Sequence, residues 1–213
     1  MKIIPLSKRI MIGFLTGMFC IMTLTACAEK QDNMKNTTGS ETVSDASEPS
    51  SEPVINNQNI KLTFSLEDIA GKTYTNEMFQ DYKLTMVNVF TTWCTPCINE
   101  IPDLEKLNQE MAEQGVAVAG IVLDAVDEEG NIDEEAVQKA ELLAERTGAT
   151  YPFLIPDADG LDGRLKGIDA VPETFFVDQE GNIVGETFVG SRSFNEWKTI
   201  VEAQLNSLTG ERS

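Results

Sequence analysis

The sequence predicts an α/β domain with a mixed central sheet and helices on both faces. Three observations lead there. Apolar strand-like runs alternate with stretches of helical period, the last two strand-like runs are joined by a short polar turn, and two cysteines stand where a strand-like run gives way to a helix.

Taken in order, residues 84–90 (Leu-Thr-Met-Val-Asn-Val-Phe) form an apolar run of strand length. Ile98, Ile101, Leu104, Leu107 and Met111 then recur every three or four residues and predict a helix that starts at the cysteines. Residues 116–123 read as a buried strand, and 134–146 as an amphipathic helix closed by Gly148, since glycine best tolerates the left-handed backbone of a helix end. A short strand at 151–155 and a helical turn at 161–167 follow. Residues 174–177 and 183–188 flank Asp178-Gln179-Glu180-Gly181-Asn182 and predict a hairpin, and 194–208 a closing helix. No internal repeat stands out.

Trp93-Cys94-Thr95-Pro96-Cys97 carries the chemistry. Two thiols with this spacing can exchange between dithiol and disulfide without moving the fold, which points to redox work. At a helix N-terminus the unpaired backbone N–H groups and the positive end of the dipole favour an anion, so the Cys94 thiol is expected to ionise more readily than an ordinary cysteine. Cys94 is then the nucleophile. Cys97, one turn in and facing back, is the shielded resolving thiol. The Cys94–Cys97 redox disulfide is itself the working group, and no other cofactor is expected. A CxxC can also be half of a zinc site, but tetrahedral zinc takes four ligands and the chain has no histidine and no second cysteine pair, so no metal is expected. A purely structural bridge closing so short a loop would remove little unfolded-state entropy.

The 213 residues fit one secreted domain behind two leading segments. Lys2, Lys8 and Arg9 precede an uncharged stretch over 10–26, which reads as a signal peptide (1–26) whose apolar region is short for a membrane span. Leu24-Thr25-Ala26-Cys27 resembles the lipobox of bacterial lipoproteins. That resemblance implies cleavage before Cys27 and a diacylglyceryl thioether on its sulfur, the two-chain anchor that stable attachment to a membrane requires. An uncleaved N-terminal anchor is the alternative, and both place the domain at the outer face of the cytoplasmic membrane. With Cys20 lost and Cys27 lipidated, Cys94 and Cys97 are the free pair among the four cysteines. Residues 27–58 are polar and acidic, with Pro49 and Pro53 interspersed, and predict a disordered tether; about 30 such residues reach on the order of 30 Å. The folded domain spans 59–213. Removing Lys2, Lys8 and Arg9 takes the net charge from −19 to −22, which repels nucleic acid and anionic headgroups, so neither is expected as a ligand.

Three blocks stand in order along the chain: Phe64-Ser-Leu-Glu-Asp-Ile-Ala-Gly-Lys-Thr, Val87-Asn-Val-Phe-Thr-Thr-Trp-Cys-Thr-Pro-Cys-Ile-Asn-Glu-Ile-Pro and Val171-Pro-Glu-Thr-Phe-Phe-Val-Asp-Gln-Glu-Gly. In that order and spacing they resemble the thioredoxin superfamily and its extracytoplasmic TlpA-like branch, which includes the ResA and CcmG/DsbE proteins. The Pro172-Glu173-Thr174-Phe175 spelling is most like that of the cytochrome c maturation members. The resemblance implies a thioredoxin fold with an N-terminal hairpin and a central insertion between residues 116 and 146. It also implies a cis Val171–Pro172 bond beside the cysteines, leaving the Val171 backbone to pair with an extended substrate segment. Trp93 would supply an apolar rim for docking. Pro102 would kink the active-site helix.

Glu100 is singled out by comparison. Ordinary thioredoxins have a buried aspartate six residues ahead of the first cysteine, where this chain has Asn88, which does not titrate. Glu100, three residues after Cys97 and on the same helix face, resembles the glutamate of the TlpA-like branch. A buried carboxylate there would take the proton of Cys97 and, by like-charge coupling, hold the Cys94 pKa up.

The sequence therefore predicts a monomeric, membrane-tethered thiol–disulfide oxidoreductase working as a reductase. Its expected partners are disulfide-bearing client proteins, such as apocytochromes or a methionine sulfoxide reductase, and a membrane electron donor of the CcdA or DsbD type implied by the resemblance. A disulfide-forming oxidase stays open, because Thr95-Pro96 does not fix the potential. A copper-chaperone-like binding lipoprotein is a further alternative, disfavoured by the lack of histidine. Nothing in the chain resembles a peroxidatic-cysteine loop.

Overall fold

Alternate residues Leu62, Phe64 and Leu66 are buried while Lys61, Thr63, Ser65 and Glu67 are exposed, the period of two of a strand with one dry face. This segment opens the computed structural model, which describes residues 61–157 and 159–210. The expected signal peptide, Cys27 and tether lie outside the described residues. Strand β1 (Ser65–Glu67) pairs antiparallel with β2 (Thr73–Thr75) in the expected opening hairpin. A 3-10 turn at Asn76–Phe79 then buries Phe79.

Strand β3 (Leu84–Phe90) is buried at every residue, as a strand inside a sheet covered on two faces must be. Helix α1 (Thr95–Met111) carries the chain over to β4 (Val116–Val122), equally buried and parallel to β3 from Leu84 opposite Val116 to Phe90 opposite Val122. Helix α2 (Glu134–Thr147) makes a second crossover to the parallel strand β5 (Phe153–Leu154). The Asp133 side chain accepts the Glu135 and Ala136 N–H groups at its start, and Gly148, at φ +73°, ends it. Strand β6 (Glu173–Asp178) runs antiparallel to β3 and turns back into β7 (Ile183–Val189), and α3 (Phe194–Thr209) closes the chain. The sheet order is β5-β4-β3-β6-β7. β5 is shorter than its periodicity suggests because Pro152 and Pro156, on either side, have no N–H to give a ladder.

Two cores form because successive strand residues point to opposite faces. On one face Met86, Phe90, Val118 and Phe176 pack against Leu104 and Leu107 of α1, Ala140 of α2, and Trp197 and Val201 of α3. On the other, Val87, Val89, Phe175 and Val177 pack against Leu62, Phe64, Phe79, Leu161 and Leu165. All three α-helices thus share one face, and the helical cover of the other is the 3-10 turn at Asn76–Phe79 with the turn-rich residues 159–167. Two right-handed crossovers that step the same way across a sheet place their helices on the same side. Cys94, Cys97 and Glu100 belong to the first turns of α1, at the carboxyl end of β3.

Candidate active site

Beyond β3 the chain stays buried through Thr91 and Thr92 before it surfaces at Trp93, which is 70% exposed. Asp124, in the 3-10 turn Leu123–Ala125 that follows β4, holds this junction. Its carboxylate accepts the Thr92 N–H at 3.0 and 3.1 Å and the Thr92 hydroxyl at 2.7 Å. The next step is the start of α1. Cys94 is its N-cap residue, with extended backbone, and the Cys94 sulfur accepts the N–H of Cys97 at 3.3 Å. Pro96 sits in the first turn, where its missing N–H costs no helix bond.

Cys94 and Cys97 are joined in a disulfide with Cα atoms 5.3 Å apart. Cys97 is 1% exposed and Cys94 6%, so attack from outside can reach only the Cys94 side. When the bond opens, the N–H that meets the Cys94 sulfur and the positive end of α1 would stabilise a thiolate there.

The Val171–Pro172 bond is cis, as the family resemblance implied. It brings the Val171 carbonyl to 3.6 Å from the Cys94 sulfur, and the Pro172 carbonyl accepts the Gly190 N–H at 2.8 Å, which ties the loop to the end of β7. Pro102 lies inside α1, which runs on through it to Met111; with no N–H, it gives none to the Ile98 carbonyl.

Glu100 is 2% exposed. One oxygen, Oε1, accepts the Trp197 indole N–H at 2.6 Å and the Arg192 backbone N–H at 2.7 Å, and the other, Oε2, accepts the Asn88 amide at 3.3 Å. Burial pushes the carboxyl pKa above its ordinary value, and the three N–H donors and the Arg192 cation only partly offset it. The Asn88 amide also donates to Thr174 Oγ1 at 3.0 Å. A groove of about 320 Å³ beside the start of α1 is lined by Thr95, Asn99, Glu100, Asp103 and Arg192, among others. A larger cleft of about 450 Å³, bordered by Lys72, Tyr74, Thr85 and Tyr151, includes none of the expected site residues.

The fold thus gathers Trp93, Cys94, Cys97, Glu100, Val171 and Pro172 around one end of the sheet, while Cys27 lies outside the described residues. Sequence reasoning missed Asp124, Arg192 and Trp197. Trp197 alone left a trace: a tryptophan in an amphipathic helix buries its ring and must find a partner for its indole N–H.

Comparison with known proteins adds the following. The AhpC/TSA family model matches residues 58–185. The chain is 31% identical over 142 residues to the thiol:disulfide interchange protein DsbE of Haemophilus influenzae, covering 67% of this chain and 70% of that protein. It is 30% identical to the thiol-disulfide oxidoreductase ResA of Geobacillus thermodenitrificans, covering 56% of this chain and 62% of that one. Among solved structures, the thiol:disulfide interchange protein of Chlorobium tepidum matches with a TM-score of 0.56 at 27% identity, covering 68% of this chain and 94% of that one.

Proposed function

Because the chain belongs to the AhpC/TSA family and is a thiol–disulfide oxidoreductase, we propose that its dithiol reduces disulfides in client proteins outside the cytoplasm. The reduced Cys94 thiolate attacks one sulfur of the client disulfide, and the other leaves as a thiolate. Cys97 gives its proton to Glu100 and attacks Cys94, releasing the second client sulfur. Two electrons pass to the client, whose sulfurs leave as thiolates and take up the Cys97 proton from Glu100 and one proton from water, and the chain is left as the Cys94–Cys97 disulfide. A membrane dithiol donor of the CcdA or DsbD type returns it to the dithiol. Trp93, Val171 and Pro172 receive the client segment, and a lipid on Cys27 holds the domain at the outer face of the cytoplasmic membrane. Apocytochrome c is the client class that the Pro172-Glu173-Thr174-Phe175 spelling favours. The observation that carries this reading is the asymmetry of the pair: Cys94 caps the helix beside the Val171 carbonyl, and Cys97 is enclosed with a buried carboxylate one turn away.

The test is a pair of variants on a model protein disulfide. Cys94→Ser abolishes reduction, whereas Cys97→Ser attacks once and stalls as a mixed disulfide that can be isolated from cells with its client attached. Equal residual turnover in the two would overturn the roles. Cys27→Ala is expected to leave the membrane fraction or to keep its leading segment, and unchanged fractionation with unchanged mass would refute the lipid anchor.

A further inference from the structure

Glu100 is held from one side. Its Oε1 takes two short hydrogen bonds, from Trp197 at 2.6 Å and the Arg192 N–H at 2.7 Å, while Oε2 has one long one from Asn88 at 3.3 Å. Trp197 is fully buried, and its ring packs edge-on against Phe188 with centroids 5.9 Å apart. The Arg192 guanidinium lies 4.9 Å from the Trp197 ring and 5.0 Å from that of Phe188, and donates to the Val189 and Gly190 carbonyls. Both donors to Oε1 are therefore fixed by packing that does not depend on the carboxylate.

We propose that Trp197 and the Arg192 backbone form a two-donor clamp that decides which oxygen of Glu100 takes the proton: Oε1 stays the acceptor of the clamp, and the proton binds at Oε2. Trp197 is then a positioning residue for the thiol chemistry, acting through Glu100; this rests on the proton-accepting role of Glu100 proposed above. An oxygen that already accepts two N–H bonds has both lone pairs engaged, and protonating it would orphan a buried donor. Oε2 carries no such penalty. Its one donor is an N–H of the Asn88 amide, whose other N–H goes to Thr174 Oγ1 at 3.0 Å, so Oε2 has a second lone pair for the proton and keeps that hydrogen bond.

The charged and titratable groups around this carboxylate are few. From its own helix come the cysteines, which do not titrate as a disulfide, and Asp103, which accepts the Phe194 N–H. Arg192 faces it from the loop before α3, and Tyr151 from beside β5, with its hydroxyl pushed well above its ordinary range by burial and the Glu105 and Glu100 charges. Asn88 from β3 and Trp197 from α3 carry no charge.

The chain has two tryptophans, so labelling the indole nitrogens of the oxidised full-length protein gives two N–H resonances, and a W93F variant assigns them. The Trp197 resonance is expected to titrate with a midpoint above the ordinary carboxylate range, and to lose that titration in E100Q. In W197F, loss of one N–H to the charged form raises the Glu100 pKa, so the pH profile of disulfide reduction moves to higher pH by about one unit. A Trp197 resonance that does not titrate overturns the clamp, and so does a W197F variant that folds normally with the wild-type profile while E100Q shifts it. If the indole titrates but E100Q reduces disulfides with an unchanged profile, the clamp stands and the proton-accepting role of Glu100 falls. If E100Q changes the profile but the indole is silent, the role stands and the clamp falls. The indole titration uses unsubstituted protein, so it decides the matter even if W197F fails to fold.

Discussion

At Glu100 a carboxylate is enclosed one turn along α1 from Cys97, and in the proposed reaction its charge acts on catalysis as well as on stability. Glu100→Gln removes a negative charge that opposes thiolate formation, so the Cys94 pKa should fall. Turnover should fall too, most of all near neutral pH, where Cys97 is largely protonated and needs an acceptor. Alkylation rate against pH, with steady-state reduction of a protein disulfide, reads both effects; no movement in either would make Glu100 a structural residue only. Stability gives an independent check. Because the folded-state pKa is raised, the folded chain binds the extra proton, so the contribution is full below the unfolded pKa and is lost as pH rises through the folded one. Urea unfolding of the wild type should weaken across that window with a slope of up to about 1.4 kcal/mol per pH unit, and Glu100→Gln should lack this slope.

At the scale of the element, the start of α1 is located by a residue from another crossover. Cys94 can cap the helix only if β3 ends in register, and Asp124 fixes that by accepting the Thr92 N–H and hydroxyl across 32 residues of sequence. Asp124→Ala would leave a buried N–H and hydroxyl unpaired and should cost about 1–3 kcal/mol in urea unfolding. It should also change the alkylation rate of Cys94, because the strand-to-helix junction loosens. Asp124→Asn keeps one carbonyl acceptor and should do less of both. Wild-type stability and thiol reactivity in Asp124→Ala would show that the junction is set by β3 alone.

The whole molecule keeps chemistry and closure on separate sides of the sheet. The cysteines belong to the core under the three α-helices, and Leu62 and Phe64 seal the other core. Leu62 is 0% exposed, so Leu62→Ala should cost about 2–5 kcal/mol through lost burial and a cavity. The Cys94 pKa should stay where it is, since the central sheet stands between the two cores. A shift in thiol reactivity that matched the stability loss would show the faces to be coupled. Among the described residues no helix is long and apolar enough to cross a membrane. Attachment, as proposed, falls to Cys27.

What the sequence determined by itself is what short-range rules govern. The apolar run of β3, the three-and-four spacing of α1, the glycine that ends α2 and the turn between β6 and β7 each rest on neighbours within a few residues, so the elements and the placement of the CxxC at a helix start were legible. The cis Val171–Pro172 bond was legible through family resemblance rather than through any local rule. The tertiary structure alone decided the surroundings of Glu100, whose donors come from 12, 92 and 97 residues away, and the mooring of Thr92 by Asp124. It also decided that the three α-helices share one face. Periodicity tells which side of an element is dry, and a buried indole N–H or carboxylate announces that it needs a partner. Which partner it meets is settled only when the crossovers pack, because that choice depends on the whole sheet order and on no local stretch of the chain.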